Sequence, residues 1–226
     1  MTEKTPALRP KDAATLVLYR RHRSRTEVLM GARAAGMAFH PNMYVFPGGR
    51  VEPHDARIPA AGEPDPGVIA ALMRGGLTRA RARAFVMTAI RETFEETGLH
   101  IARPASMPST ALPANWKPFF ATGLLPAAEN IRLIARAITG PNRPRRFDAR
   151  FFMLDAEHSQ GEIGGDGELQ TLTWLDIKAA HELPLPDITR AIIDLVDHLL
   201  SAPLPEPDAP IFFSRTVRGK RVITRQ

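Results

Sequence analysis

The chain has 226 residues, 44% hydrophobic and 24% charged, enough for one sizeable core and too apolar for global disorder. It has no cysteine, which excludes disulfides, thiolate-bound zinc and thiol catalysis and is compatible with a cytoplasmic setting. The net charge of +6 suits an anionic partner, but the bases are dispersed, aromatic residues make up only 7%, and no zinc-finger, RNP or basic-helix pattern appears, so nucleic acid is not the expected ligand.

Residues 1–12 are polar and read as a flexible arm without a signal-peptide core, and no apolar run approaches the ~20 residues that span a bilayer. Strands are expected over 13–19 and 26–33, joined by the basic turn 20–25 as a hairpin. A loop, 34–42, leads to a short apolar run, Met43 to Phe46, that ends at Gly48-Gly49. Two glycines after a strand let the backbone approach a ligand or simply make a turn. A Pro-, Ala- and Gly-rich stretch, 58–67, precedes a short helical pattern over 68–73. Thr78 then caps a long helix to about Thr97, with Gly98 in the position of a left-handed terminator. Arg79, Arg81 and Arg83 in its first turns are either surface residues or phosphate contacts, since cations there oppose the helix dipole.

A short strand is expected over 99–102. The Pro-rich stretch that follows carries Trp116, Phe119 and Phe120, which suit core packing better than stacking on an adenine. Strands over 131–138 and 147–154 flank a Gly-Pro-Asn turn, and the acidic glycine loop 164–168 leads into a strand over 169–175. An amphipathic helix is expected over 187–200. Residues 201–226 form a Pro-rich linker and a basic tail with two β-like runs, which could dock as a hairpin on the domain or on a partner. The main domain is therefore expected over 13–200.

The distinctive stretch is Arg91-Glu92-Thr93-Phe94-Glu95-Glu96-Thr97-Gly98. At helical spacing Glu92, Glu95 and Glu96 share a face opposite the apolar stripe Val86, Met87, Ile90 and Phe94. Like charges three and four apart cost a helix roughly 0.2–0.5 kcal/mol per pair, so the pattern is either a solvated acidic face or a site for a hard cation such as Mg²⁺.

Together with Gly48-Gly49 the stretch resembles the Nudix box, a glycine loop followed by a helix bearing Arg-Glu-x-x-Glu-Glu-x-Gly. Thr93 stands where that pattern has an apolar residue and Asp55 where the loop has glutamate. Residues 56–90 separate the two halves by more than the standard box does, which implies a helical insertion at about 56–83 and resembles a long-insertion branch that includes a mammalian peroxisomal coenzyme A diphosphatase. The resemblance implies an α/β fold, the Nudix α/β/α sandwich with a mixed β-sheet. It also implies a Mg²⁺- or Mn²⁺-dependent hydrolase acting on a diphosphate that joins a nucleoside to another group, most simply coenzyme A or acyl-CoA. ADP-ribose, NADH and dinucleoside polyphosphates stay open as substrates, as do a non-catalytic nucleotide-sensing module and an RNA-end decapping enzyme.

By the same resemblance Glu92, Glu95, Glu96 and the Gly48 carbonyl are metal ligands, Arg91 orients the carboxylates, and Gly49, Arg33 and Phe39 lie near substrate. Glu168 or a helix glutamate is the general base. The partner is a small nucleotide-type molecule, with no membrane, and a homodimer is compatible with the sequence.

Overall fold

The computed structural model describes residues 8–36, 41–107, 109, 111–217 and 220–226. One mixed sheet carries the architecture. β1 (Lys11–His22) lies at its centre, parallel to β8 (Phe147–Asp155) and antiparallel to β2 (Arg25–Arg33). β7 (Arg132–Ile138) extends it beyond β8, while β3 (Tyr44–Val45) and β9 (Leu169–Asp176) pair with β2. β4 (Gly48–Arg50) pairs with the first half of β1. A separate ribbon joins β5 (Ala102–Pro104) to β6 (Leu124–Pro126).

The period-two alternation of β1 sends Leu16 and Leu18 to one face and Val17 and Tyr19 to the other, and β8 repeats this with Phe152 and Leu154 against Phe151 and Met153. The first face is covered by α1 (Pro66–Arg74) and α2 (Arg79–Thr97), through Val68, Leu72, Phe85, Val86, Ala89 and Ile90. The second is covered by α4 (Asp187–Leu200), through Ile192, Ile193 and Val196. Burying each of these large side chains contributes roughly 1.5–3 kcal/mol, so both layers are needed to close the sheet. Among the described residues there are four α-helices, the fourth being the single turn α3 (Lys117–Phe120).

α2 positions the site, and its ends follow from local chemistry. Thr78 Oγ1 accepts from Arg81 N at 3.3 Å, and Gly98, at φ 75°, ends the helix in the left-handed conformation while donating to Phe94 O. Thr93 is buried with its hydroxyl bonded to Ala89 O at 2.7 Å, so it meets the core as an apolar residue would. Arg81 pairs with Asp12, and Arg83 holds Glu63 and the carbonyls of Ala56 and Ile58, which fastens the 56–63 segment to the helix. These two early arginines are thus occupied by protein partners.

The strand expected over 99–102 forms later, at Ala102–Pro104, because His100 makes an isolated bridge with Gln160. Trp116, Phe119 and Phe120 are buried and pack edge-on, as core residues. Residues 201–226 close with β10 (Phe212–Val217) and β11 (Lys220–Arg225), an antiparallel pair whose inner strand lies parallel to β7. Among the described residues no helix is long and apolar enough to cross a membrane.

Candidate active site

β4 and the second half of α2 face each other across the site. The register of β4 on β1 turns the peptide groups of Gly48 and Arg50 away from β1: Gly48 N donates to Glu96 Oε2 at 2.8 Å, and Arg50 O accepts from Arg91 Nη2 at 3.0 Å. The Gly48 carbonyl lies on this same edge. Glycine is required at 48, where a Cβ would strike Ala14 O and Thr15, whereas a Cβ on Gly49 would push aside the Glu92 carboxylate.

Arg91 is the hub, only 4% exposed. Its Nη1 donates to Glu92 Oε1 at 2.7 Å and Glu95 Oε2 at 2.8 Å, while Nε and Nη2 each reach Asp55 at 3.2 Å. With the bond to Arg50 O, all five guanidinium donors are used. Burial opposes the charge of Arg91, but Glu92, Asp55 and Glu95 more than reverse this and raise its pKa.

Asp55 is fully buried and accepts, besides Arg91, from Glu52 N at 3.0 Å, Thr88 Oγ1 at 2.7 Å and Trp116 Nε1 at 2.7 Å. The sequence reading treated Asp55 as a departure from the glutamate of the loop. The structure makes it the anchor of Arg91, and the shorter side chain reaches because the turn at Asp55–Arg57 packs directly on α2. Its side-chain partners lie 33 to 61 positions away, and a buried carboxylate with them is not visible as a pattern.

The carboxylates outnumber the cation. Burial pushes the Glu92 carboxyl up to about 7, against the pull of Arg91. Burial also raises Glu96 well above the ordinary carboxylate range, helped by the charges of Glu92 and Glu168 and opposed by Gly48 N and Arg33. Glu95 is raised too, by burial and by Asp166. Each of the three has one oxygen engaged by Arg91 or Gly48, and among the described residues Glu92 Oε2, Glu95 Oε1 and Glu96 Oε1 accept no hydrogen bond. Among the described residues no three acidic or imidazole side chains converge closely enough to enclose a cation, because Arg91 draws Glu92 and Glu95 to its own side.

Arg33 and Glu168 reach the same place from the other sheet edge. Arg33 pairs in register with Leu169, Ala34 N donates to Glu168 O at 3.4 Å, and both side chains act electrostatically on Glu96. Among the described residues the Arg33 Nε is buried with no hydrogen-bond partner. Phe39, expected beside the substrate, lies outside the described residues.

No protein-family model matches the sequence, and no curated protein does. Solved structures do. A Nudix hydrolase from Alicyclobacillus acidocaldarius superimposes with a TM-score of 0.63 at 27% identity, over 88% of this chain and 99% of that one. By these structural neighbours the chain has the Nudix hydrolase fold and is similar to the enzymes of that superfamily. A mutator MutT protein from Bacillus halodurans shares the fold, with a TM-score of 0.51 at 13% identity over 94% and 97% of the two chains. In this chain the helix and the glycine loop lie against each other although residues 51–90 separate them in sequence.

Proposed function

We propose that this Nudix hydrolase is a divalent-metal-dependent enzyme that cleaves the diphosphate bond of a nucleoside diphosphate linked to another moiety, with coenzyme A or an acyl-CoA as the substrate class. The observation that carries the reading is the Arg91 hub: one guanidinium, fully used, holds two glutamates of α2 beside a third that is fixed by Gly48 N. This is a costly arrangement for a helix whose only task is packing. A free oxygen on each carboxylate and the Gly48 carbonyl form an all-oxygen donor set, which fits Mg²⁺ or Mn²⁺ in kind.

Glu92, Glu95, Glu96 and the Gly48 carbonyl would hold the cation. When bound, it offsets the charge of the phosphoryl oxygens and lowers the pKa of a water. The remaining tasks fall to the chain itself. Arg91 keeps Glu92 and Glu95 oriented, and Asp55 keeps Arg91 in place. Gly49 lets the loop lie against Glu92. Glu168 takes the proton of the attacking water, and the unpaired Nε of Arg33 meets a phosphate oxygen. Such a displacement needs mainly positioning and electrostatics. The coenzyme A assignment is supported by the long segment 56–90 inside the box, while Val28-Leu29-Met30-Gly31-Ala32-Arg33 is only a partial echo of the coenzyme A signature, whose Leu-Leu-Thr-x-Arg start is absent.

The test is a phosphate-release screen with Mg²⁺ and Mn²⁺, coupled to a phosphatase, over coenzyme A, acetyl-CoA, NADH, ADP-ribose, a dinucleoside polyphosphate and a capped RNA. Fastest turnover of the coenzyme A pair is expected. Turnover of another member overturns the substrate class and keeps the chemistry. Silence across the panel in a folded protein overturns the reaction.

A further inference from the structure

The last carbonyls of a helix have no partner within it. In α2 two of them, on Glu95 and Thr97, are taken up by the loop before β9: Asp166 N donates to Glu95 O at 2.9 Å and Gly164 N to Thr97 O at 2.8 Å. Gly165 lies between, at φ 130°, where a Cβ would collide with Glu96 O. The loop is thus strapped to the peptide groups of the residues whose side chains form the site. Its exit is fastened separately to β2, through Ala34 N on Glu168 O and the pairing of Leu169 with Arg33. One side-chain bond links the two fastenings: Asp166 Oδ1 accepts from Glu168 N at 2.9 Å.

We infer that Asp166 is a positioning residue, which fixes the Glu168 peptide to the end of α2 and so sets where the Glu168 carboxylate stands relative to Glu95 and Glu96. The inference rests on the proposed role of Glu168 in the reaction. Gly167, at φ 88°, supplies the turn that lets the Asp166 side chain reach two residues ahead. Without that acceptor the loop keeps its backbone straps, but the peptide carrying Glu168 loses its hydrogen bond to them. A shift of about 1 Å at a catalytic group costs up to ~100-fold in rate, and a partial loosening correspondingly less.

The test compares Asp166→Asn, which keeps an oxygen acceptor, with Asp166→Ala, which does not. Two readouts are taken: amide hydrogen exchange over residues 159–170, and turnover with Mn²⁺ of the fastest substrate in the panel above. Asp166→Ala is expected to speed exchange at Glu168 and lower kcat about tenfold, with KM and Tm little changed. Asp166→Asn is expected to stay near wild type in both. In a Glu168→Gln background, Asp166→Ala should add no further loss. Equal damage from Asn and Ala, or a full extra loss in that background, overturns the positioning role. Full turnover in Glu168→Gln alone overturns the role of Glu168 and this one with it.

Discussion

Two buried ion clusters lie along α2, and they are built with opposite excess. Around Arg91 a single guanidinium meets Asp55, Glu92 and Glu95, with Glu96 beside them. About 9 Å earlier on the helix, by its rise, Phe85 stacks on Arg150, which shares Asp148 with Arg136. In the second cluster burial pushes the Asp148 carboxyl up, but hydrogen bonds and charge from the two arginines hold it below its ordinary value. In the first, one arginine cannot do this for three glutamates, and Glu92 stays near 7. The Asp148 cluster has positive charge in excess and ties β7 to β8. The Arg91 cluster has negative charge left over, which the proposed divalent cation would offset.

The largest expected effect separates the clusters by function. Glu96→Gln should lower kcat by ~1,000-fold or more, since several kcal/mol of charge stabilisation depend on the cation. Its Tm should hold or rise, because a buried charge is removed. Steady-state kinetics and calorimetry check both. An unchanged kcat would remove Glu96 from the site.

Asp148→Asn should do the converse. It leaves two arginines on the α2 face without a counter-charge, at a cost of about 3–5 kcal/mol in stability. Turnover per folded molecule should change little. Urea unfolding measures the first quantity, and a matching loss of kcat would mean the clusters are not separable.

The pH dependence sharpens the contrast. Without a cation Glu92 sits at about 7 in the fold against 4.5 as its ordinary value. The folded state therefore holds this proton more tightly. The resulting stability is present below pH 4.5 and lost as the pH rises toward 7, by about 3 kcal/mol. Asp148 has the opposite sign: its contribution is present above 3.8 and lost as the pH falls below it. Thermal unfolding across pH, in chelator and in Mn²⁺, should show the cation stabilising the protein more at neutral pH than at acid pH.

The smallest effect expected is at Arg33. Replacing it with methionine should raise KM about tenfold, near 1.4 kcal/mol, with kcat less affected. A larger fall in kcat than in substrate affinity would place Arg33 with the reacting atoms instead.

The framework of this account was legible in the chain because short-range patterns carry it. The Thr78 cap, the Gly98 terminator and the spacing of the three glutamates define α2, and the alternation of Leu16, Val17, Leu18 and Tyr19 defines the central strand. What was hidden depends on distant partners. Asp55 is a single acidic residue until Thr88, Arg91 and Trp116 surround it, and Asp166 is one acid in a glycine loop until its amide meets the end of α2. Arg33 and Glu168 meet only through the register of β2 on β9. The segment around Trp116 read as Pro-rich loop, yet it forms a helical turn and strand β6 once its aromatics are buried.

The most direct test is calorimetric titration of Mn²⁺ into metal-free wild type and Glu96→Gln near neutral pH. The account predicts saturable binding to the wild type and at least a tenfold weaker affinity in the variant. Equal affinities in the two proteins would contradict it, and would leave the carboxylates of α2 as a solvated acidic face.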